Sequence, residues 1–537
     1  MQKIFLALLL TGATYFTAFA QQITGENVAV ANTDAGKVRG YINNSIFTYK
    51  GIPYAEAKRF ESPQKPQPWT GVRSSMTYGP VAPLLTPTNV TAAGDESEFV
   101  FNHSWGFSGE DCMRINVWTP SISDGKKRPV MFWIHGGGFT AGSSQELPSY
   151  DGENLAKKGD VVVVSINHRL NILGYLDLSA YGEKYKHSAN LSILDMRVAL
   201  EWVKANIANF GGDPNNVTIF GQSGGGAKVN TLMAMPSAKG LFHKAINQSG
   251  AFRSNMLGKT ETQAITAEVL KVLKLAPNQA DSLQKIPFSQ LSAAGTQALR
   301  TVAERMRAEG KTIGGFGLSW GPSLDGDLLP YQPMSPEALD LSKNVPLLIG
   351  TVKNEFMASG RAGLSNGSQE QVMEYIKKQQ GDKTTSFVAA VKKAYPTDKK
   401  PSDLLDVDMT FRPGAVNQAN IKSALPGGAP VYMYLFSWQS PVMDGKYKAM
   451  HCMELPFVFN NIARCAEMTG ATKEAYALAA KMSQSWINFA RTGNPAHAGL
   501  PAWEKYTAAK GTTMFFDNLC QIRYHHDKDL LQVSVTQ

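Results

Sequence analysis

The 537-residue sequence predicts an α/β fold, in which a mostly parallel central sheet has helices on both faces. Apolar runs of strand length alternate along the chain with amphipathic helical patterns such as residues 193–210 and 263–275. Within each run the apolar residues are continuous, which is typical of parallel strands buried on both faces. The predicted strands are residues 115–118, 130–134, 161–166, 217–220, 245–247, 346–350 and 431–436.

The sequence has no internal repeat, low-complexity tract or Pro/Gly-rich linker, so we expect residues 21–537 to form a single domain. Short β patterns at residues 37–49 precede the predicted strands. A domain of this length must carry insertions between its core elements. The long intervals 251–344 and 357–428 have mainly helical patterns, and we expect them to form a helical cap over the functional site.

Residues 1–20 have the pattern of a secretory signal peptide. Lys3 precedes the apolar run 4–10, and a small-x-small sequence at residues 18–20 ends just before Gln21. An uncleaved membrane anchor is the alternative, but polar residues and a glycine interrupt the apolar run, and a span needs ~20 apolar residues. We therefore expect a cleaved peptide, a secreted or periplasmic protein, and no membrane span in the mature chain.

The charge pattern argues against a nucleic-acid partner. Cleavage of residues 1–20 removes one lysine and no acid, which leaves 52 basic and 44 acidic residues and lowers the formal net charge from +9 to +8. Basic residues are dispersed along the chain, with short pairs such as Lys126-Lys127 that are typical of a solvated surface. The charge therefore affects solubility more than the choice of partner, and the oligomeric state is left open.

The cysteine content permits disulfides in an exported protein. The 4 cysteines are Cys112, Cys452, Cys465 and Cys520, and full pairing could occur in three ways. Cys452 and Cys465 are the closest pair in sequence, but the pairing stays open. No Cys/His cluster has the spacing of a metal site, so we expect no metal. We expect the His-His-Asp sequence at residues 525–527 to be an exposed patch.

The pattern Gly-x-Ser-x-Gly is typical of a nucleophilic serine, and it occurs at residues 221–225, 317–321 and 363–367. Only Ser223, in the first match, follows a predicted strand and precedes a helical pattern. A sharp strand-to-helix turn lifts the serine Oγ out of the sheet, and the flanking glycines leave room for that turn. Ser223 is therefore the candidate nucleophile.

Local structure explains the serines of the other two matches. Ser319 lies in a glycine-rich run that leads into Pro322, which predicts a loop. Ser365 lies in a polar stretch before the helical pattern 369–378, which Ser368 could cap. We therefore expect neither Ser319 nor Ser365 to be catalytic.

A nucleophilic serine needs a histidine base, and the base needs an acid to orient it. Where a strand-turn-helix carries the serine, the chain order is serine, acid, histidine. This order excludes the histidines before Ser223, and His243 precedes every acid that could follow a later strand. The histidines that remain are His451, His497, His525 and His526. His451 is the predicted base because a loop joins it to the strand 431–436, whereas the others lie in a Gly/Pro/Ala loop or in the charged tail.

The predicted acid is Glu355. The apolar strand 346–350 ends a few residues before it, so its carboxylate would lie at the end of a buried strand. Asp444 is the alternative acid, because it lies on the loop that leads to His451.

The run His135-Gly136-Gly137-Gly138-Phe139 is the candidate oxyanion-binding loop. A tetrahedral intermediate places negative charge on the former carbonyl oxygen, and preorganised N–H donors stabilise that charge. The run follows the predicted strand 130–134, and consecutive glycines allow the backbone to approach a substrate closely. The N–H group of Gly224, directly after the candidate nucleophile, would be a further donor.

Together these segments resemble the type B carboxylesterase family, the cholinesterase-like branch of the α/β-hydrolases, over nearly the whole mature chain. Further segments similar to family signatures are Glu110-Asp111-Cys112 and residues 209–214, 247–250 and 454–459. The resemblance implies a catalytic triad of Ser223, Glu355 and His451. It also implies an oxyanion hole of Gly137, Gly138 and Gly224, with the buried hydroxyl of Ser249 near the triad.

The function implied by the resemblance is that of an exported serine carboxylesterase, which hydrolyses small-molecule carboxylic esters through an acyl-enzyme and needs no cofactor. Lipase, carbamate hydrolase and aromatic-acid esterase activities could use the same triad and remain alternatives. A noncatalytic adhesion module of the cholinesterase-like type is the alternative from a different class. The presence of all three triad residues argues against it.

The sequence departs from the family pattern at two positions. In the family, the cysteine of the Glu-Asp-Cys segment often forms a disulfide with an upstream cysteine. Ala82 stands at the position of that upstream cysteine, so Cys112 is expected to be unpaired. Gln222 stands where cholinesterases have a glutamate that would favour cationic substrates, so choline esters are not expected. Trp320, within residues 318–322, lies at a position that resembles the wall of the acyl pocket, and we expect it to limit acyl length.

Overall fold

The computed structural model describes residues 22–84, 106–251, 255–313 and 317–535. The predicted signal peptide at residues 1–20 lies outside these ranges and stays a prediction. The strands are β1 (Val30–Asn32), β2 (Lys37–Arg39), β3 (Tyr41–Asn43), β4 (Ile46–Pro53), β5 (Val72–Ser74), β6 (Arg114–Thr119), β7 (Arg128–Ile134), β8 (Val162–Asn167), β9 (Gly212–Gln222), β10 (Lys244–Gln248), β11 (Leu347–Val352), β12 (Val431–Phe436), β13 (Thr512–Phe516) and β14 (Gln521–Tyr524).

Within the described residues, an 11-stranded sheet has the order β14-β13-β12-β11-β10-β9-β7-β8-β6-β4-β3, and β1, β2 and β5 form a 3-stranded sheet. Every neighbouring pair of the large sheet from β8 to β13 is parallel. The pairs at both edges are antiparallel. The prediction of a mostly parallel sheet is therefore confirmed.

Helices cover both faces of this sheet. They are α1 (Glu153–Gly159), α2 (Asn171–Tyr175), α3 (Leu191–Asn206), α4 (Gly224–Met233), α5 (Lys259–Val272), α6 (Phe288–Ala308), α7 (Pro336–Leu341), α8 (Ala358–Arg361), α9 (Gln369–Gln380), α10 (Thr384–Ala394), α11 (Arg412–Ser423), α12 (Leu455–Val458), α13 (Ala466–Thr469), α14 (Lys473–Thr492) and α15 (Lys528–Val535). Among the described residues, none of the helices is both long and apolar enough to cross a bilayer.

Alternate side chains of β7 explain why the strand sequences are continuously apolar. Val130, Phe132 and Ile134 pack into one core cluster with residues of α3 and α4. Met131 and Trp133 pack into a second cluster with residues of α14 on the other face. Because both faces are covered, every side chain of the strand is buried, and each large apolar one contributes roughly 1.5–3 kcal/mol of stability.

The predicted elements agree with the structure along most of the chain, and the C-terminal strands are the main omission. Both intervals that were expected to be helical contain helices, α5 to α7 in the first and α8 to α11 in the second. The strands β13 and β14 were not predicted. β13 is only 5 residues long, and its pairing with β12, distant in sequence, supplies the hydrogen bonds that make it a strand.

The cysteines do not form disulfides. All of them are buried and free, so no pairing among Cys452, Cys465 and Cys520 occurs. Cys112 is unpaired, as expected from the alanine at position 82, where the family often has its partner. It packs with Ala82 and Leu170 in a small buried cluster, so alanine occupies the space beside its thiol.

The prediction of an exposed patch at residues 525–527 is wrong. The side chains of His526 and Asp527 are only 5% and 6% exposed. Asp527 accepts a hydrogen bond from Arg412 Nε at 2.6 Å. A buried ion pair therefore holds this segment against α11, and burial lowers the pKa of His526 to about 3.

Candidate active site

Ser223 lies at a sharp turn between β9, which ends at Gln222, and α4, which begins at Gly224. Its backbone has φ 56° and ψ −124°, a strained conformation that costs on the order of 1–3 kcal/mol. Hydrogen bonds from Ser223 N to Gln248 O at 2.8 Å and from Ala227 N to Ser223 O at 3.0 Å hold the turn. The predicted strand-turn-helix context is thus confirmed, and strain of this kind is typical of a nucleophile elbow.

Glycine is required on the helical side of this turn because other backbone segments lie too close for a side chain. A Cβ atom on Gly225 would lie 2.1 Å from the carbonyl oxygen of Ile134, the last residue of β7. A Cβ atom on Gly224 would lie 2.2 Å from the carbonyl oxygen of Gly138. The glycine-rich loop after β7 therefore packs directly against the turn that carries Ser223, and Gly138 and Gly224 are neighbours.

Glu355 and His451 are hydrogen-bonded to each other, through the carboxylate Oε2 and the imidazole Nδ1. Glu355 lies just after β11, and His451 lies in the loop that follows β12, so two adjacent parallel strands position the pair. The backbone N–H of His451 also donates to Glu355 O at 2.9 Å. Asp444, the alternative acid, is exposed. Of the two candidate acids, Glu355 is therefore the one hydrogen-bonded to the imidazole.

The carboxyl of Glu355 lies in an apolar environment that opposes its ionisation. It is 1% exposed, and burial raises its pKa to about 8. Two hydrogen bonds act in the opposite direction by stabilising the ionised form, one from the Ser249 hydroxyl and one from Val352 N at 3.1 Å. Ser249 thus contacts the acid directly.

Two phenylalanine rings pack against the His451 imidazole. The ring centroid of Phe356 lies 4.6 Å away and that of Phe411 lies 5.3 Å away, with interplanar angles of 33° and 21°. Phe356 directly follows Glu355, and Phe411 directly precedes α11. The second insertion therefore reaches the site through Phe411. The two rings limit the orientations that the imidazole can adopt.

Gln222 connects the turn of Ser223 with the loop of His451. It is 1% exposed, and its Nε2 lies 3.4 Å from Nδ1 and 3.3 Å from Nε2 of the imidazole. Its Oε1 accepts a hydrogen bond from Cys452 Sγ at 3.3 Å. The residue next to Ser223 therefore contacts the His451 ring. Because the amide is neutral, it adds no carboxylate to this part of the site.

The loop after β7 has the backbone conformation that its glycines allow. Gly137 and Gly138 have φ values of 79° and 63°, in the region that favours glycine. Gly136 is buried, whereas Gly137 is exposed. A Cβ atom on Gly136 would lie 3.7 Å from the Cβ atom of Ser223. The loop therefore runs beside the serine and becomes accessible at Gly137.

The serines of the other two pattern matches lie in the local structures that were predicted. Ser319 is in a loop, and Ser365 is in a turn before α9. Ser368 caps α9 by accepting a hydrogen bond from Gln371 N at 3.3 Å. These predictions are confirmed.

Trp320 lies in the helical interval that precedes β11. It is 8% exposed. A Cβ atom added to Gly295 of α6 would lie only 2.8 Å from the Cζ2 atom of Trp320 and 2.8 Å from Cδ1 of Ile172. The indole therefore packs tightly between α6 and α2, and its role in the substrate pocket stays a prediction.

Sequence reasoning missed a buried polar cluster beside the glycine-rich loop. Lys228 and Glu146 are 0% and 5% exposed. Burial lowers the pKa of Lys228 to about 7 and raises that of Glu146 to about 8. The rings of His135 and His168 stack with centroids 4.8 Å apart, and burial lowers the pKa of both. In the sequence, the feature that could have indicated this cluster is Lys228, a charged residue in the otherwise neutral sequence of α4.

The described part of the chain has no group of three or more His, Cys, Asp or Glu side chains that could hold a metal ion.

Comparisons with known proteins identify the family of the chain. The sequence model of the carboxylesterase family matches residues 27–530. The chain is 36% identical to the para-nitrobenzyl esterase of Bacillus subtilis (strain 168) over 501 residues, which are 91% of this chain and 95% of that protein. It is 32% identical to the phenmedipham hydrolase of Pseudarthrobacter oxydans over 492 residues, 89% of this chain and 93% of the other.

A solved structure shares the fold at full length. It is that of an esterase from Clostridium hathewayi that can hydrolyze aliphatic aromatic polyesters, and it has a TM-score of 0.82 and 37% sequence identity over 96% of this chain and 100% of that one. The α/β-hydrolase fold implied by the resemblance is thus confirmed. The hydrolases among the relatives argue against the alternative of a noncatalytic module. The chain belongs to the carboxylesterase family, and it is a carboxylic ester hydrolase.

Proposed function

We propose that this protein is an exported serine carboxylesterase whose catalytic triad is Ser223, His451 and Glu355. The observation that supports the triad most directly is the hydrogen bond between Glu355 and His451, next to Gln222 of the turn that carries Ser223. All three residues follow the carboxyl ends of parallel strands, β9, β11 and β12. Open parallel sheets present their functional residues at this edge.

In this mechanism His451 takes the proton of Ser223 while Oγ attacks the ester carbonyl. Glu355 orients the imidazole through Nδ1 and stabilises the imidazolium. His451 then returns the proton to the leaving alkoxide as the C–O bond breaks, which leaves an acyl-enzyme. A water molecule that gives its proton to the same imidazole then attacks the acyl-enzyme. The imidazolium returns this proton to Ser223 Oγ as the bond between Oγ and the acyl carbon breaks, which releases the carboxylic acid and restores the serine.

The N–H groups of Gly137, Gly138 and Gly224 stabilise the negative charge of each tetrahedral intermediate. The contact between Gly138 and Gly224 supports their acting together. Backbone donors are preorganised, so they need not rotate when the charge forms, and one such donor is worth roughly 10²–10³-fold in kcat.

The proposed substrates are uncharged carboxylic esters with an aromatic acyl or alcohol group. Gln222 places a neutral amide at the imidazole, so the site lacks a carboxylate there that would attract a cationic alcohol. Phe356 is 36% exposed and adds apolar surface next to His451. The names of two relatives, para-nitrobenzyl esterase and an esterase that can hydrolyze aliphatic aromatic polyesters, point to the same class.

Reaction with a fluorophosphonate tests the proposed nucleophile. The reagent is expected to label Ser223, identified by mass spectrometry of the peptides, and to abolish ester hydrolysis in proportion to labelling. An enzyme that hydrolyses p-nitrophenyl acetate without being labelled, or that is labelled elsewhere, contradicts the proposal. A panel of esters that vary separately in acyl length and in the alcohol group then identifies the substrate class.

Trp320 is proposed to limit the length of the acyl group. Replacing Trp320 with glycine is expected to raise kcat/KM for p-nitrophenyl octanoate relative to p-nitrophenyl acetate by about 10-fold, since one methylene in an apolar pocket changes binding by about 1–3 kcal/mol. The buried ring also stabilises α6, so a decrease in the unfolding temperature is expected as well. An unchanged ratio of the two kcat/KM values would show that Trp320 does not line the acyl pocket.

Export is proposed from residues 1–20, whose sequence has the pattern of a signal peptide. Expression in the native host is expected to yield an extracellular or periplasmic protein whose N-terminal residue is Gln21, as measured by N-terminal sequencing. A cytoplasmic protein that keeps residues 1–20 would disprove export.

A further inference from the structure

Lys228 is a buried lysine that contacts the glycine-rich loop from the side of α4. Its side chain is 0% exposed. Nζ donates a hydrogen bond to His135 O at 3.1 Å and lies 3.5 Å from Gly136 O. Lysines are almost never fully buried without a partner. Here the partners are the main-chain carbonyl oxygens just before the two glycines proposed to bind the oxyanion.

The peptide group between Gly136 and Gly137 is held at its carbonyl end. Gly136 O is hydrogen-bonded to His135 Nδ1 at 3.0 Å in addition to its contact with Lys228. A trans peptide is planar, and its C=O and N–H groups point in opposite directions. Holding Gly136 O towards Lys228 therefore turns the N–H of Gly137 the other way. Gly136 is buried and Gly137 is exposed, in agreement with this arrangement.

We propose that Lys228 is a positioning residue for ester hydrolysis, which holds the carbonyls of His135 and Gly136 so that the Gly137 N–H stays directed at the oxyanion. This inference rests on the proposed function of the loop. Lys228 does not touch the substrate. It acts through the backbone, in two ways. Its hydrogen bonds fix the peptide planes, and a donor on a carbonyl polarises the peptide group and strengthens the hydrogen bond made by its N–H.

The surroundings of Lys228 support a role that justifies the burial of an amine. Burial of an ammonium group costs free energy, and it lowers the pKa of Lys228 to about 7, while Glu146 acts in the opposite direction. The carboxyl of Glu146 accepts a hydrogen bond from Ser143 N at 3.1 Å and is linked through Tyr150 to the backbone of Gly136. Lys228 at His135 O and Tyr150 at the Gly136 N–H therefore hold the two ends of the peptide group between His135 and Gly136, which directly precedes the one that carries the Gly137 N–H.

Replacing Lys228 with methionine tests the proposal, because methionine has a similar length and no donor. For p-nitrophenyl acetate, kcat is expected to fall on the order of 10- to 100-fold, less than the loss of an oxyanion donor itself, with KM changed less than about 3-fold. An alkyl trifluoromethyl ketone, which adds Ser223 Oγ and forms a tetrahedral oxyanion, is expected to bind more weakly by the same factor as kcat.

Lys422 provides a matched control. It is also a buried lysine, 1% exposed, and its Nζ donates to a backbone carbonyl, Ser342 O, at 2.6 Å. It lies at the C-terminal end of α11, whereas Phe411 precedes the N-terminal end. Lys422→Met is expected to change the unfolding temperature but neither kcat nor the inhibition constant of the ketone.

Each outcome decides the proposal. A Lys228→Met enzyme with wild-type kcat and ketone affinity overturns the proposal. A variant whose ketone affinity falls only by the factor by which KM rises overturns it as well, because a merely structural role would give that result. If the methionine variant does not fold, Lys228→Leu, which also has no donor, is measured in the same way. If Ser223→Ala is inactive and Lys228→Met is fully active, the triad stands and this inference fails. If Ser223→Ala keeps its activity, both fail.

Discussion

Replacing Ser223 with alanine is expected to lower kcat for p-nitrophenyl acetate by about 10⁴- to 10⁶-fold, because no acyl-enzyme forms without Oγ. The backbone amides of the oxyanion loop remain, so a small residual rate above that in water is expected. The fold is expected to persist. Alanine has a Cβ atom as serine does, so the strain of the turn at φ 56° does not change, and the backbone hydrogen bonds of the turn remain. Steady-state kinetics and the unfolding temperature measure the two expectations.

The serines of the other two Gly-x-Ser-x-Gly matches are the natural controls for this experiment. Ser319 lies in a loop and Ser365 in a turn, so Ser319→Ala and Ser365→Ala are expected to keep wild-type kcat and fluorophosphonate labelling. Near-normal activity of Ser223→Ala, or an inactive Ser365→Ala, would mean that the nucleophile has been assigned to the wrong serine.

Replacing Glu355 with glutamine is expected to lower kcat by about 10⁴-fold although the side chain keeps its shape. The carboxylate accepts a hydrogen bond from His451 Nδ1, which favours the tautomer with its proton on Nδ1, so Nε2 is the nitrogen that takes the serine proton. A glutamine amide can donate to Nδ1 instead, which favours the tautomer with its proton on Nε2, where the base must accept. The imidazolium formed during the reaction also loses its negative partner.

The exposed Asp444 is the control for the acid, since it was the alternative on sequence grounds. Asp444→Asn is expected to keep kcat within about 3-fold of wild type, as expected for a surface substitution away from the site. A larger loss of kcat in Asp444→Asn than in Glu355→Gln would reverse the assignment of the acid.

The pH dependence gives a second measure of Glu355. The ionised carboxylate is the working form, and burial raises the pKa of Glu355 to about 8. As the pH is lowered, the wild-type kcat/KM should therefore begin to fall at a higher pH than it would if the acid were an exposed glutamate. Glutamine does not titrate, so Glu355→Gln lacks this contribution to the acid limb of the profile. An acid limb that is identical in both enzymes would contradict a role for Glu355 ionisation.

The sheet was predictable because the continuous apolar sequences of its strands show that both of their faces are buried. The five apolar residues 130–134 of β7 alternate between two core clusters, so no polar residue interrupts the run. β13 was not predictable in this way. Its short sequence begins with Thr512 and Thr513, and its strand character depends on pairing with β12, more than 70 residues earlier in the chain.

The candidate site was predictable where a residue follows a strand. Ser223, Glu355 and the loop of residues 135–139 each lie directly after an apolar run, and the chain order selected His451. Phe411 and Lys228 were not found, because neither belongs to a strand end. Phe411 reaches the imidazole from the second insertion, and the contact of Lys228 with Gly136 depends on how α4 packs beneath the glycine-rich loop.

The sequence by itself determined the fold class, the strand-turn-helix around Ser223 and the identity of the residues proposed for catalysis, because these depend on local backbone chemistry and on apolar runs. Only the tertiary structure decided that Glu355 rather than Asp444 bonds to His451, that the cysteines are unpaired, and that a buried lysine contacts the glycine-rich loop. Each of these depends on distances between segments far apart in the chain, and such distances follow from the packing of the whole core and not from any local pattern.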